Sequence, residues 1–467
     1  MQALHRSNKQ KGINMRKNFD FYGYNSPTSG KFTVNDCEYF YAEDFRTKKR
    51  FAEYKNVGFT ILLLQHENSY NGEEFIGSAC HKCMTEAYKA GIKKIIVSDQ
   101  RLKDLCVEKN ILGLDGKFKD EKELLEYVKD CISAYKDMRG FYGVQLYDEP
   151  KWWALKSYGI VCRALKKAMP SIYLQCNLNP LGPLSFFTGN EKADLYEAYE
   201  SYLNTFLDET GLDYILYDEY PFRRDYIIYG LTMRTLQIVS KVCKERGVEL
   251  RMVLQSFAGT GDGKLLYRRV NERDMYWQTN LALGFGCKEF SFFTYFTKPK
   301  LRVENGFTTD AIDGAAMINR DGTRAKLYYD TKKIISEMKA FAHVILPYRF
   351  DSAYFIYARG KSQKDFMQTE YAQESEKCPL EMEVSEGLGL VTLLKKENSS
   401  LFMVENIGNV RDESMGKEKM RVCIRLPENV KKTKIYSRGK KMKSKPQSGK
   451  LSFELPCGQA IFIELKE

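Results

Sequence analysis

Phe141–Trp153 reads FYGVQLYDEPKWW, and Asp213–Arg223 reads DYILYDEYPFR. In both, an apolar run with β-branched and aromatic residues stops at Leu-Tyr-Asp-Glu, and a proline follows at once or one residue later. Such a run bounded by proline reads as a strand that ends where the acids begin. Two strand ends therefore present adjacent carboxylates, Asp148 with Glu149 and Asp218 with Glu219.

Working outward, similar runs recur every roughly 30 to 50 residues. They are FDFYGY from Phe19, FTILLL from Phe59, KKIIVS from Lys93, IYLQCN from Ile172, ELRMVL from Glu249 and KEFSFFTYF from Lys288. With the two acid-ended runs they make eight strands. Helical periodicity fills most of the gaps. In EKELLEYVKDCISAYKDM, Leu124, Leu125, Val128, Ile132 and Tyr135 share one face. The segment from Ile228 ends in Lys, Arg and Gly247, a helix stop. Strands alternating with helices predict a parallel sheet. Eight such units predict a (β/α)8 TIM barrel over 18–346. The competing fold is a doubly wound open sheet, which would want a Gly-rich nucleotide turn that the sequence lacks. After the helix LYYDTKKIISEMKAFAHVIL the pattern changes to short alternating strands, from SAYFIYA to AIFIEL. That tail, 347–467, predicts an antiparallel β-sandwich. Residues 1–17 read as a loose N-terminus.

The chain has 467 residues and net charge +12, from 73 Lys+Arg against 61 Asp+Glu. Much of the excess lies in KKTKIYSRGKKMKSK, which reads as a Lys-rich hairpin guarding a sheet edge. No recognition motif accompanies the charge, so no nucleic-acid partner is expected. Cysteines such as Cys131, Cys162, Cys176, Cys243 and Cys287 sit in apolar segments, the usual setting of reduced, buried thiols. CHKC (Cys80–Cys83) has metal-like spacing but no second pair, so it reads as helix filler and no metal is expected. No run is apolar and long enough for a signal peptide or a bilayer span. A reducing cytoplasm fits these facts.

In a (β/α)8 barrel the chemistry lies at the C-terminal ends of the strands. Strands four and six flank strand five, so both acid pairs should face one pocket. Asn25, Gln65, His66, Glu67, Asp99, Asn177, Asn179, Gln255 and Tyr295 fall at other strand ends. Tyr24, Trp152, Trp153, Tyr220, Phe222, Phe257 and Phe296 crowd the same rim. Acids, amides and flat rings together suit a hydroxyl-rich ligand, a carbohydrate. Asn25, His66, Asp99, Asp148, Trp152, Asn177, Tyr220, Gln255 and Tyr295 are the expected substrate contacts. Glycosidic bond cleavage needs two carboxyl groups, and neighbouring acids raise one another's pKa. No cofactor is required. No nucleophile elbow and no P-loop is present, and the Gly-rich SFAGTGDGKL reads as a lid after strand seven.

The chain resembles (β/α)8 glycoside hydrolases with a C-terminal β-sandwich. In the large clan of retaining glycosidases the acid/base Glu ends strand four, commonly inside Asn-Glu-Pro, and here Asp148, Glu149 and Pro150 stand there. MINRDGTRAKLYYDTKKIISEMKAF is similar to the eighth-helix region of such enzymes. The resemblance implies that Glu149 is the general acid/base. It departs at strand seven, where the clan's nucleophilic Glu is replaced by Gln255, and at Asp148, which replaces the usual Asn. Three readings stay open. Asp218 or Glu219 supplies the second carboxylate. Asp148 attacks with Asp218 as acid/base, an arrangement resembling α-galactosidases. Or catalysis is lost and the protein only binds carbohydrate. A bland role for Glu149, a salt bridge to Arg101 or Arg223, stands beside these.

Overall fold

The structure is a computed structural model that describes residues 16–34, 37–224, 227–261, 264–303, 306–308, 316–358, 377–408, 419–443 and 446–466. All eight expected runs form parallel strands. They are β1 (Asp20–Gly23), β2 (Leu62–Leu64), β3 (Ile95–Ser98), β4 (Phe141–Gln145), β5 (Tyr173–Gln175, resumed at Asn177–Leu178), β6 (Tyr214–Glu219), β7 (Glu249–Gln255) and β8 (Cys287–Phe293). One sheet has the order β2-β3-β4-β5, and the second runs β1-β8-β7-β6 and onto Asn177–Leu178. Both sheets thus share the chain of β5. At the opposite edges Thr60 and Ile61 N–H donate to the Phe21 carbonyl, at 2.8 and 3.1 Å. The strands are apolar without alternation, as in β2 and β3, because both faces are covered.

Nine helices are described: α1 (Lys48–Asn56), α2 (Ala79–Lys89), α3 (Gln100–Cys106), α4 (Glu121–Ser133), α5 (Leu155–Ala168), α6 (Leu195–Thr210), α7 (Tyr229–Arg246), α8 (Glu272–Gly284) and α9 (Lys326–Ile345). Short polar caps set their starts. Asp120 accepts from Lys122 and Glu123 N–H, and Asn271 with Asp274 makes a reciprocal capping box. Gly247 ends α7 at φ 68°, the left-handed stop expected from the sequence. Cys80 and Cys83 are buried on the inner face of α2. No helix among the described residues is long and apolar enough to cross a membrane.

Among its described residues the regular elements of the C-terminal part from Arg349 are strands. A six-stranded antiparallel sheet contains β9 (Arg349–Tyr357), β11 (Leu388–Lys396), β12 (Ser399–Asn406), β14 (Lys432–Ser437), β15 (Lys440–Met442) and β17 (Ala460–Lys466). A three-stranded one contains β10 (Glu381–Glu386), β13 (Lys419–Arg425) and β16 (Lys450–Pro456). Strand alternation divides the large sheet's apolar residues. Val391, Leu393, Phe402 and Val404 meet Val422 and Ile424 of the small sheet. Leu390, Leu394, Leu401 and Met403 join the core of the first part. Phe341 of α9 meets Phe462 at 4.8 Å across that seam. The Lys-rich segment forms the edge hairpin β14–β15, with β15 fully exposed, and its residues 444 and 445 lie outside the described residues.

Two features were not expected. Lys31–Val34, Cys37–Phe40, Lys300–Val303 and Gly306–Thr308 form an antiparallel sheet from the connections after β1 and β8. The Gly-rich segment after β7 is a β-ribbon, Gly259–Gly261 against Lys264–Tyr267, whose residues 262 and 263 are outside the described residues. Arg16, inside the stretch expected to be loose, pairs with Asp20, Glu249 and Glu289 at the N-terminal ends of the strands.

Candidate active site

Beyond β4 the chain is pinned to β5 and its neighbours. Leu146 N–H donates to the Gln175 carbonyl at 3.0 Å and Glu149 N–H to that of Asn177 at 2.9 Å. Asn179 Nδ2 and the Tyr202 hydroxyl hold the Glu149 and Pro150 carbonyls, at 3.2 and 2.5 Å. Glu149 itself has φ +51°. Asn25 after β1 and His66 after β2 also lie in the left-handed region, at φ 54° and 51°. A side chain other than Gly pays for that conformation, and such strain concentrates where function fixes the backbone. Three strand ends in one rim share it.

The carboxyls of Glu149 and Asp218 are in hydrogen-bonding contact. Asn177 Nδ2 donates to Asp218 Oδ1 at 3.1 Å, and the Asn177 side chain also reaches Asp148. Burial pushes the Asp218 carboxyl well above the usual carboxylate range, and the charges of Glu149 and Asp148 push it further. Glu149 is raised by burial and by Asp148, against the hydrogen bond with Asp218. Asp148 is raised by burial, offset by Lys103 and Asn177. Asp148 and Glu149 are exposed to solvent, whereas Asp218 is buried. The Glu149 and Asp218 carboxyls are thus both held above the usual carboxylate range, Asp218 by burial and then by the charges of Glu149 and Asp148, so the pair favours keeping a proton. The Tyr24 and Tyr220 hydroxyls feel the charges of Asp148 and Asp218 and remain protonated donors.

Asp148 also lines a hollow of about 500 Å3. Four residues lining it hold a buried side-chain atom without a protein partner: Asn25 Oδ1, Ser26 Oγ, Thr28 Oγ1 and Gln65 Oε1. Buried polar atoms are ordinarily hydrogen-bonded, so these orphans set the walls of the hollow apart from an ordinary core. One wall is aromatic: the Phe32 ring stacks on Tyr39 at 5.2 Å and on Tyr41 at 6.3 Å. Sequence reasoning missed Ser26, Thr28, Phe32, Tyr39, Tyr41 and Lys298, which come from the rim sheet and the connections that flank its strands. The signal was the long connection 24–47, well beyond the usual two to six residues of a βα loop.

Several expected contacts are elsewhere. Glu219 is aimed at α7, where Thr232 Oγ1 donates to its Oε1 at 3.0 Å, because successive strand residues point to opposite faces. Asp99 is fully buried as the cap of α3, held by Arg101 at 2.8 Å and the Tyr135 hydroxyl at 3.0 Å. Gln255 spends its amide on the backbone, accepting from Phe222 N–H at 2.9 Å and donating to the Phe222 and Phe257 carbonyls. Tyr295 is buried among Tyr54, Phe59 and Phe296, away from the hollow. Trp152 is half exposed and lies against Gly189, and Trp153 is as open. Tyr220 packs on Phe257 and Phe293 with its hydroxyl toward the acids. Asn25, His66 and Asp148 line the hollow, and Asn177 joins Asp148 to Asp218. The bland role for Glu149 fails: Arg101 pairs with Asp99, and Arg223 lies over the Tyr267 ring at 4.1 Å.

Glu219 makes a stability prediction. Burial raises its carboxyl from 4.5 to about 7. A folded-state pKa above the unfolded one means the neutral acid is favoured, so stability falls as pH climbs from 4.5 to about 7. Glu219→Gln keeps the acceptor for Thr232 and removes that loss. The variant should be more stable by about 3 kcal/mol at pH 8 and equal to wild type at pH 4, read by urea unfolding. Gln255→Leu should cost about 2–4 kcal/mol in the same assay, because three buried backbone groups lose their partner.

No family model and no curated protein matches the sequence. Solved structures do match. A glycoside hydrolase family 5 protein from Bacteroides vulgatus superposes with TM-score 0.52 at 11% identity, covering 96% of this chain and 89% of that one. This chain has the fold of a glycoside hydrolase. A second structure, described only as a glycoside hydrolase, gives TM-score 0.50 at 11% identity, covering 96% and 92%. At this identity the likeness is one of fold, and it agrees with the family resemblance read from the sequence.

Proposed function

We propose that this chain is a glycoside hydrolase acting on an oligosaccharide or small glycoside. Its architecture would be a (β/α)8 barrel over 18–346 and a C-terminal β-sandwich over 347–467. The hydrogen bonds from Thr60 and Ile61 to Phe21, with the shared β5, support closure of the barrel. The unpaired cysteines suit a reducing compartment such as the cytoplasm.

The observation that carries the proposal is the contact between Glu149 and Asp218 beside a hollow with orphan polar atoms. Hydrolysis needs one carboxyl to protonate the leaving oxygen and a second to attack the anomeric carbon or activate water. Asp218 carries the proton and is the acid. Glu149, the ionised partner, supplies the second function. These roles reverse the assignment implied by the resemblance. Asn177 orients Asp218, and Tyr24 and Tyr220 donate toward charge developing on the sugar. Carboxyls in contact leave no room for water between them, which suits the roughly 5 Å spacing of retaining enzymes over the wider inverting one. A second reading rests on Asp148, which lines the hollow: it attacks, and Asp218 remains the acid.

Proton NMR of glycoside cleavage tests the scheme. The first-formed sugar should keep its anomeric configuration. Inverted product would overturn the spacing argument, and sugar binding without cleavage would leave a carbohydrate-binding protein. Between the two readings, the variant lacking the attacking carboxylate, Glu149→Gln or Asp148→Asn, should be the one in which added azide yields a glycosyl azide of inverted configuration.

A further inference from the structure

The hollow is electrically lopsided. Asp148 stands on the side of the carboxyl pair, while His66 and Lys298 line it elsewhere. Lys103 of α3 and Lys298 both bear on His66, and with burial they hold its imidazole down to about 4, so the ring is neutral. Neither lysine makes an ion pair with an acid among the described residues. Lys103 is partly buried, with Asp148 and Asp104 as its acidic neighbours. Glu67, the other acid lining the hollow, is raised to about 7 by burial and faces Arg46. Lys298 therefore lines the hollow as a cation without an ion-pair partner among the described residues.

A ligand filling the hollow displaces part of the water around Lys298, which is an exposed residue of its lining. An uncharged hydroxyl replaces that solvation poorly, whereas a negative group turns the same desolvation into a charge-assisted contact. Repulsion from Asp148 would at the same time keep a negative group away from the reacting carboxyls. Charge at one place and acids at another would orient the ligand with its glycosidic bond toward Glu149 and Asp218.

We propose that the sugar accepted by this hollow carries an anionic substituent, a carboxylate or a phosphate, received by Lys298. The proposal rests on the carbohydrate reading above and names its substrate class. Calorimetry with full-length Glu149→Gln protein tests it without needing turnover. The probes are matched gluco, galacto and manno sugars, each as neutral methyl glycoside, methyl uronide and 6-phosphate. In at least one set an anionic member should bind at least about tenfold tighter than its neutral counterpart, and less so in high salt. Adding Lys298→Met should erase that gap, and Lys298→Arg should restore it. Which anion wins distinguishes uronide from sugar phosphate. The inference is overturned if no anionic member binds more tightly than its neutral match, or if Lys298→Met leaves the gap intact. Hydrolysis of neutral aryl glycosides would stand in that case. A charge preference in a protein that cleaves nothing would count against the hydrolase alone.

Discussion

Asp218→Asn should lower kcat/KM for an aryl glycoside by about 10^3-fold while leaving the protein folded. In the proposed scheme Asp218 is the general acid, and general acid catalysis contributes about 10^2 to 10^4. Asn keeps the shape and still accepts from Asn177 Nδ2, now 3.1 Å from Asp218 Oδ1. It cannot deliver a proton. The loss should fall mainly on kcat, because the hollow that binds the sugar is lined by other residues. Stability should move the other way. Asp218 has its carboxyl raised by burial, Glu149 and Asp148. Its contribution is therefore fully present below the ordinary carboxylate range and lost as pH rises. The Asn variant should melt at or above wild type at pH 8. A variant that keeps its activity, or loses it only by unfolding, would remove Asp218 from the mechanism.

Arg251→Ala should do the reverse, costing about 3–5 kcal/mol of stability by urea unfolding. Arg251 sits at the other ends of the strands, 5% exposed. It pairs with Glu249 at 2.9 Å and Glu289 at 3.7 Å, meets the Tyr173 hydroxyl at 3.2 Å and covers the Tyr214 ring at 3.7 Å. Glu289 is wholly buried, and Arg16 at 3.4 Å is its other cation. Truncating Arg251 leaves that carboxylate with half its compensation. Protein that remains folded should turn over substrate normally, because the acid pair is at the opposite end of β6. A cost below about 1 kcal/mol would mean that Arg16 and water satisfy Glu289 alone. Stability at the N-terminal ends and chemistry at the C-terminal ends is the division of labour this strand arrangement favours.

The fold was legible because its strands are buried on both faces and so appear as unbroken apolar runs. LLL at Leu62–Leu64 and IIVS at Ile95–Ser98 need no context to be seen. Glu149 and Asp218 stood out as candidates because an acid pair cutting off such a run is costly unless used. The choice between Asp218 and Glu219 was not, since alternation says only that the two differ, and Thr232 on α7 decides which faces away. Gln255 misled for a related reason: its position matched a nucleophile, but its amide belongs to the backbone of Phe222 and Phe257. Asp99 misled because a strand-end acid is also an ordinary helix cap. The aromatic wall of Phe32, Tyr39 and Tyr41 was hidden because it depends on pairing between strands far apart in the sequence, Cys37–Phe40 with Lys300–Val303.

The most direct test is release of aglycone from a panel of neutral and anionic 4-nitrophenyl glycosides by wild type, Glu149→Gln and Asp218→Asn, from pH 4 to 9. Wild type should hydrolyse at least one, with a bell-shaped pH profile that reports the acid and base of the pair. Both variants should be slower by about 10^3-fold on that substrate. Release that survives in either variant, or no release of any glycoside by a protein that binds the sugars, would contradict the two-carboxylate account.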